Sequence, residues 1–172
     1  MKILSKQRNS RMCMICGLDN EYGVNAPFYN MEDGSVMTAF RYKEQHQSYP
    51  GRVHGGMITA MLDEMGLRSL WAKELSEETF GVTISLDTKY RKPVPYETEL
   101  IGRGVVVKNT SHFIITDSYI MDKDGEILAN GRIKYIKMDT QKIQEGVEVH
   151  EEMPYLVEDG RTEIEGPFFD NL

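Results

Sequence analysis

An α+β fold, one long helix set against an antiparallel sheet, is what the 172-residue sequence predicts, and three observations carry it. The stretch 55–73 places Met57, Ile58, Met61, Leu62, Met65, Leu70 and Trp71 at helical spacing. From Phe80 the apolar period falls to two, with Val82, Ile84 and Leu86 alternating with Thr83, Ser85 and Asp87. Turn-forming residues at Glu32-Asp33-Gly34 and at Asp122-Lys123-Asp124-Gly125 then join neighbouring runs as hairpins.

In chain order, 1–25 reads as an N-terminal arm carrying Cys13 and Cys16, and 26–138 as the folded domain. Runs at 26–31 and 36–42 form the first hairpin. The helix follows, and at about 1.5 Å per residue it extends close to 30 Å, enough to cross a whole sheet. Strands are expected from Phe80 onward and at 99–108, 111–121 and 126–138, connected as a meander. A sheet wrapped around one helix gives each apolar face a partner layer. No internal repeat is visible.

Residues 139–172 hold ten acids against Lys142 and Arg161, a local charge of −8 in a chain whose total is −7. That imbalance, punctuated by Gly146, Pro154, Gly160, Gly166 and Pro167, marks an acidic C-terminal tail, an appendage whose Met153, Tyr155, Leu156, Phe168 and Phe169 are available to dock on the body. The net negative charge is the wrong sign for a protein that grips phosphate backbones, so nucleic acid is excluded as the expected partner. No apolar run approaches the roughly 18 residues that cross a bilayer, and residues 1–10 do not resemble a signal peptide. The sequence therefore reads as a soluble, cytoplasmic protein with no membrane partner. One domain of this length buries enough surface to fold without disulfides or a structural metal.

Cys13 and Cys16 are the only cysteines, which rules out a four-cysteine zinc centre within one chain. Three readings stay open: half of a zinc site completed from elsewhere, a redox pair, or two small buried residues in a turn. More chemistry is concentrated in His54-Gly55-Gly56 at the expected helix start. A helix start exposes unpaired N–H groups and the positive end of the macrodipole, and glycines let a ligand approach them, so Gly55 and Gly56 fit either an oxyanion pocket or a plain turn. His54 fits a cap, a donor to substrate or a loop hydrogen bond.

Asp63 has Thr59, Ala60, Gly66 and Leu67 at its helix-neighbour positions, and none is a cation. Glu64 has Arg68 four residues on and is expected to form a surface ion pair. Asp63 is therefore the candidate catalytic acid. Nucleophile elbows, phosphate-binding loops, dinucleotide fingerprints and HExxH are all absent, leaving a carboxylate and backbone dipoles to do the chemistry.

Across roughly 13–137 the chain resembles the hotdog-fold acyl-CoA thioesterases of the phenylacetate-pathway and 4-hydroxybenzoyl-CoA type. The resemblance lies in Cys13-x-x-Cys16-Gly17-x-x-Asn20, Tyr49-Pro50-Gly51-x-x-His54-Gly55-Gly56, Asp63 nine positions after that histidine, Thr83-Ile84-Ser85-Leu86 leading to Tyr90-Arg91-Lys92-Pro93, and Asp124-Gly125. It implies a hotdog fold and a homodimer, or a tetramer built from it, with each site at a subunit interface. Asp63 would act as nucleophile or general base, and the Gly55 and Gly56 amides would polarise the thioester carbonyl of an acyl-CoA substrate. Arg91 and Lys92 are candidate contacts for the CoA phosphates. No cofactor is implied. Many phenylacetate-pathway members carry an asparagine in the loop before the glycines, where this chain offers Gln45, His46, Gln47 and Ser48. Two other classes remain: a hotdog dehydratase or hydratase using His54 with Asp63, and a non-catalytic acyl-thioester binder. An HFP-like loop, the usual place of a dehydratase histidine, is missing.

Overall fold

A computed structural model describes residues 1–74, 79–138 and 152–167. Among the described residues seven strands form one antiparallel sheet: β1 (Ile3–Lys6), β2 (Tyr29–Met31), β3 (Val36–Phe40), β4 (Phe80–Tyr90), β5 (Leu100–Asn109), β6 (Phe113–Met121) and β7 (Ile127–Met138). The long helix α1 (Gly55–Glu74) packs across it, and a short 3-10 turn covers Glu44–His46. Both expected hairpins form. Their turns use left-handed glycines, Gly34 at φ 78° and Gly125 at φ 80°. In the second turn Asp122 Oδ1 also accepts the Asp124 and Glu126 amides, each at 2.9 Å.

The meander expected for the last four strands is corrected. Sheet order is β1-β2-β3-β5-β6-β7-β4, so β4 pairs with β7 at one edge and β5 pairs with β3 in the middle. Pro93 and Pro95, which lack a ladder N–H, lie in the connection between β4 and β5. Period two identifies a strand but says nothing of its neighbour.

Helix and sheet meet most closely around Met65 and Gly66. A Cβ on Gly102 would lie 2.3 Å from the Met65 sulfur, one on Gly104 2.6 Å from the Met65 carbonyl oxygen, and one on Gly66 2.2 Å from the Tyr135 hydroxyl. A side chain at any of these three places would force its neighbours to shift. The helix thereby buries Ile58, Met61, Leu62, Met65 and Leu70 in the core.

Arg68 departs from expectation. It does pair with Glu64, at 2.7 Å, but its side chain is 1% exposed. The N-terminal arm folds over it: Gln7 Oε1 and the Arg8 carbonyl accept from its Nη1 at 3.1 Å each, and its guanidinium lies 4.3 Å from the Phe28 ring centre. Buried charge of this kind is tolerated only when fully hydrogen-bonded.

Residues 152–167 lie along the same arm. The Ile3, Asn9 and Arg11 amides donate to Thr162, Tyr155 and Glu152 carbonyls at 2.9, 2.8 and 3.0 Å. Met153 is buried, Tyr155 donates from its hydroxyl to Asp19, and Leu156 is exposed. Asp159 accepts from the Tyr29 hydroxyl at 2.5 Å and pairs with Lys6. Partial burial pushes its carboxyl up, but the bonds from Lys6 and Tyr29 outweigh that and hold it down at about 2. Ile164 is 1% exposed, in a cluster with Tyr29, Met31, Met37 and Ile101. The expected docking of Phe168 and Phe169 falls outside the described residues, as does 139–151.

Ile164→Ala is expected to lower unfolding free energy by about 2 kcal/mol or more, the usual loss for a fully buried isoleucine. Leu156→Ala should stay within about 0.5 kcal/mol. Urea denaturation midpoints of the full chain compare the two, and equal effects would remove residues 152–167 from the folded unit.

Candidate active site

The loop entering α1 is held from both sides. The His54 amide donates to the His46 carbonyl at 2.8 Å, and the Val53 amide to the Val94 carbonyl at 2.9 Å. Of the four loop residues offered in place of asparagine, His46 is structural: it is 4% exposed, its Nδ1 accepts the Lys43 amide at 3.0 Å, and Nε2 lies 2.7 Å from the Tyr22 carbonyl. Gln45 is turned to the Glu21 carbonyl, while Ser48 lines a cleft beside the helix start.

His54 caps that start. Its Nδ1 accepts the Gly56 amide at 2.9 Å, and its carbonyl accepts the Met57 amide at 3.0 Å. An accepting Nδ1 is unprotonated, so in this arrangement only Nε2 is left for other chemistry. The Gly56 N–H is occupied. Among the described residues nothing accepts the Gly55 N–H, and Gly55 lines a cleft of about 440 Å³ together with Tyr49, Arg52, Tyr90, Arg91 and Lys92. Arg91 donates from Nε to Asn130 at 2.7 Å, and Lys92 pairs with Glu126. Both cations thus line the cleft while being held by neighbouring side chains.

From this cleft a polar seam runs between α1 and the edge strand β4. Tyr90 donates from its hydroxyl to the Gly55 carbonyl at 3.1 Å and lies 2.7 Å from the Thr59 hydroxyl. Two turns along, Thr83 donates to Asp63, 2.9 Å from Oδ1 and 3.2 Å from Oδ2. Tyr135 donates to the Asp63 main-chain carbonyl at 2.7 Å. Among the described residues no cation pairs with the Asp63 carboxylate. Partial burial raises its pKa above the ordinary 3.8; hydrogen bonds from Thr83 and Tyr135 oppose the rise, and the neighbouring Glu64 adds to it. A half-buried carboxylate of raised basicity and without a counter-ion is poised to take a proton or attack a carbonyl.

The candidate residues therefore fall in three places. His54, Gly55, Gly56, Arg91 and Lys92 gather at the helix start. Asp63 lies about 10 Å along the axis from Gly56, by the 1.5 Å rise per residue. Cys13 and Cys16 lie in the arm, beside Glu64. Thr83 and Tyr90 were given no role from sequence. Thr83 sits in an alternating strand where a polar residue reads as solvent-facing, and its signal was the two-residue period that puts Val82 and Thr83 on opposite faces of an edge strand.

Residues 50–129 match a family model described as the thioesterase superfamily. Acyl-coenzyme A thioesterase THEM4 of Rattus norvegicus is 25% identical over 140 residues, spanning 81% of this chain and 57% of that protein. Acyl-coenzyme A thioesterase 13 of Homo sapiens is 23% identical over 100 residues, 58% of this chain and 70% of that one. Among crystal structures, a thioesterase superfamily protein superposes with a TM-score of 0.65 at 26% identity, over 73% of this chain and 63% of its own. A hypothetical thioesterase of Streptococcus pneumoniae, solved with coenzyme A, gives 0.59 at 19% identity over 67% and 90%. The chain thus spans less than two thirds of the rat relative. One long helix on an antiparallel sheet is the architecture these structures share.

The Thr83 hydroxyl favours the ionised form of Asp63, so Thr83→Val is expected to raise the Asp63 pKa further, read by carbon-13 titration of the side-chain carboxyl. The folded pKa is already above its unfolded value, so the ionised carboxylate costs stability above the folded pKa, and that cost disappears below 3.8. Asp63→Asn should accordingly raise Tm at neutral pH relative to the wild-type chain, and the gain should vanish in acid. A lowered pKa in Thr83→Val would overturn this assignment.

Proposed function

We propose that the chain is a thioesterase of the hotdog form, which the match of residues 50–129 and the shared architecture support, and that it hydrolyses an acyl-CoA thioester to the free acid and CoA. The observation that carries the reading is the Asp63 carboxylate, half-buried, unpaired with any described cation and oriented by Thr83 in a seam leading to the helix start. The relatives named as acyl-coenzyme A thioesterases support the substrate class.

In this reading the Gly55 N–H, and the Gly56 N–H once His54 releases it, donate to the thioester oxygen as negative charge develops there. Asp63 either removes a proton from water, whose oxygen then bonds to the carbonyl carbon, or bonds to that carbon itself to give an acyl-aspartyl intermediate that water cleaves. In both routes the C–S bond breaks and CoA leaves as thiolate. Arg91 and Lys92, on the rim of the cleft at the helix start, are placed to meet CoA phosphates by exchanging their present partners.

The 10 Å between Gly56 and Asp63 is too long for one carbonyl to span, which supports a homodimer whose sites join the helix start of one protomer to Asp63 of its partner. Strand β4 supports the same assembly: it is an eleven-residue edge with Val82 and Ile84 exposed, 42% and 52%. Long apolar edges invite a second copy.

Thiol release from a panel of acyl-CoAs tests the activity directly. Asp63→Asn should lower turnover by about 10²–10⁴ with little change in acyl-CoA binding, whereas binding without any turnover by the wild-type chain would mark an acyl-thioester binding protein. Mixed Asp63→Asn and Gly56→Val protomers should regain part of the activity, because one of the two hybrid sites is wild type. No regain despite proven subunit exchange would place the whole site within one chain.

A further inference from the structure

The reaction described above leaves Cys13, Cys16 and Glu64 without a role. Cys13-Met14-Ile15-Cys16-Gly17 is wound into a tight turn in which the Gly17 amide donates to the Cys13 carbonyl at 2.9 Å. A Cβ on Gly17 would lie 2.5 Å from the Cys13 backbone, so the turn closes only with glycine. The Ile15 amide is aimed at the Cys13 sulfur, 3.3 Å away, and Ser10 fixes the turn from behind by accepting the Cys13 amide at 3.1 Å. A main-chain N–H directed at sulfur stabilises a thiolate. Nothing about packing two small residues demands it.

The third group comes from the helix. Glu64 spends Oε1 on Arg68 and leaves Oε2 facing the turn, 3.9 Å from the Cys13 sulfur. The two sulfurs and the carboxylate oxygen all lie within 4.8 Å of one another. Tetrahedral zinc, with bonds of about 2.3 Å to sulfur and 2.0–2.2 Å to oxygen, sets such ligand atoms about 3.5–3.8 Å apart. Side-chain rotations of about an ångström close the difference.

We propose that Cys13, Cys16 and Glu64 hold a zinc ion that clamps the N-terminal arm to α1, with a water in the fourth position on the half-exposed Cys13 side. Binding releases the two thiol protons to solvent. Two thiolates and a carboxylate around a divalent ion carry a net charge of −1, and the buried Arg68 guanidinium, bonded to Glu64, neutralises it. Two sulfur ligands with one oxygen select zinc over magnesium or calcium, which take oxygen alone. The clamp is separate from the hydrolytic site: Asp63 and Glu64, adjacent in sequence, point to different faces of the helix, one to Thr83 and one to the cysteine turn.

Titration of the full, reduced, chelator-treated chain with cobalt(II) tests this. One equivalent should produce near-ultraviolet thiolate-to-metal charge-transfer absorption, lost on adding one equivalent of zinc. Zinc at a hundredfold excess over Kd should raise Tm by about 5–10 °C. Cys13→Ser should weaken binding tenfold or more and diminish the absorption band while leaving the metal-free Tm near that of the wild-type chain, since Cys13 is only partly buried. Glu64→Gln should weaken binding and retain the thiolate band. Absence of the band, or a band and affinity that Cys13→Ser leaves unchanged, would overturn the site.

Discussion

The approach of α1 to the sheet at Met65 and Gly66 governs the rest of the molecule. Three glycines, two on β5 and one on the helix, let backbone and side-chain atoms meet where any Cβ would collide. Because the helix is seated so deeply, its far side is left to line up with the edge strand β4, and the polar seam from Tyr90 to Thr83 follows from that alignment. A shallower helix would carry Asp63 away from Thr83. The catalytic candidate is thus positioned by hydrogen atoms on glycines elsewhere in the core.

Two acids adjacent in sequence meet opposite fates on this helix. Glu64 is drawn into a buried network with Arg68, Gln7 and the arm, where its charge is answered within bonding distance. Asp63 has hydroxyl partners and no described cation, so burial raises its affinity for a proton. A helix turns by about 100° per residue, and that single step separates a carboxylate answered by a cation from one answered by a hydroxyl.

Much of the fold was legible locally. The apolar spacing from Met57 to Trp71 gave the helix within a residue of its end, and the turn residues around Gly34 and Gly125 gave both hairpins. Strand neighbours were not legible, because the pairing of β4 with β7 is decided by layers meeting in space and not by a local pattern. β1 escaped notice since four residues, Ile3-Leu4-Ser5-Lys6, are too few to show a period. That no described cation pairs with Asp63 was readable from its helix neighbours. Neither the His54 cap on Gly56 nor the burial of Arg68 was, as each depends on a rotamer or on a segment far away in sequence.

The pairing of the arm with residues 152–167 joins positions nearly the whole chain apart, as in the bridge between Asn9 and Tyr155. Contacts of such separation must wait for chain closure, whose entropic cost is met only after the intervening elements have condensed. On a ribosome, the hairpin of β2 and β3 emerges long before Ile164 exists, leaving Tyr29, Met31 and Met37 uncovered while most of the polypeptide is still being made. The nascent chain therefore displays a sticky face until residues 152–167 have been made and can fold back on the arm.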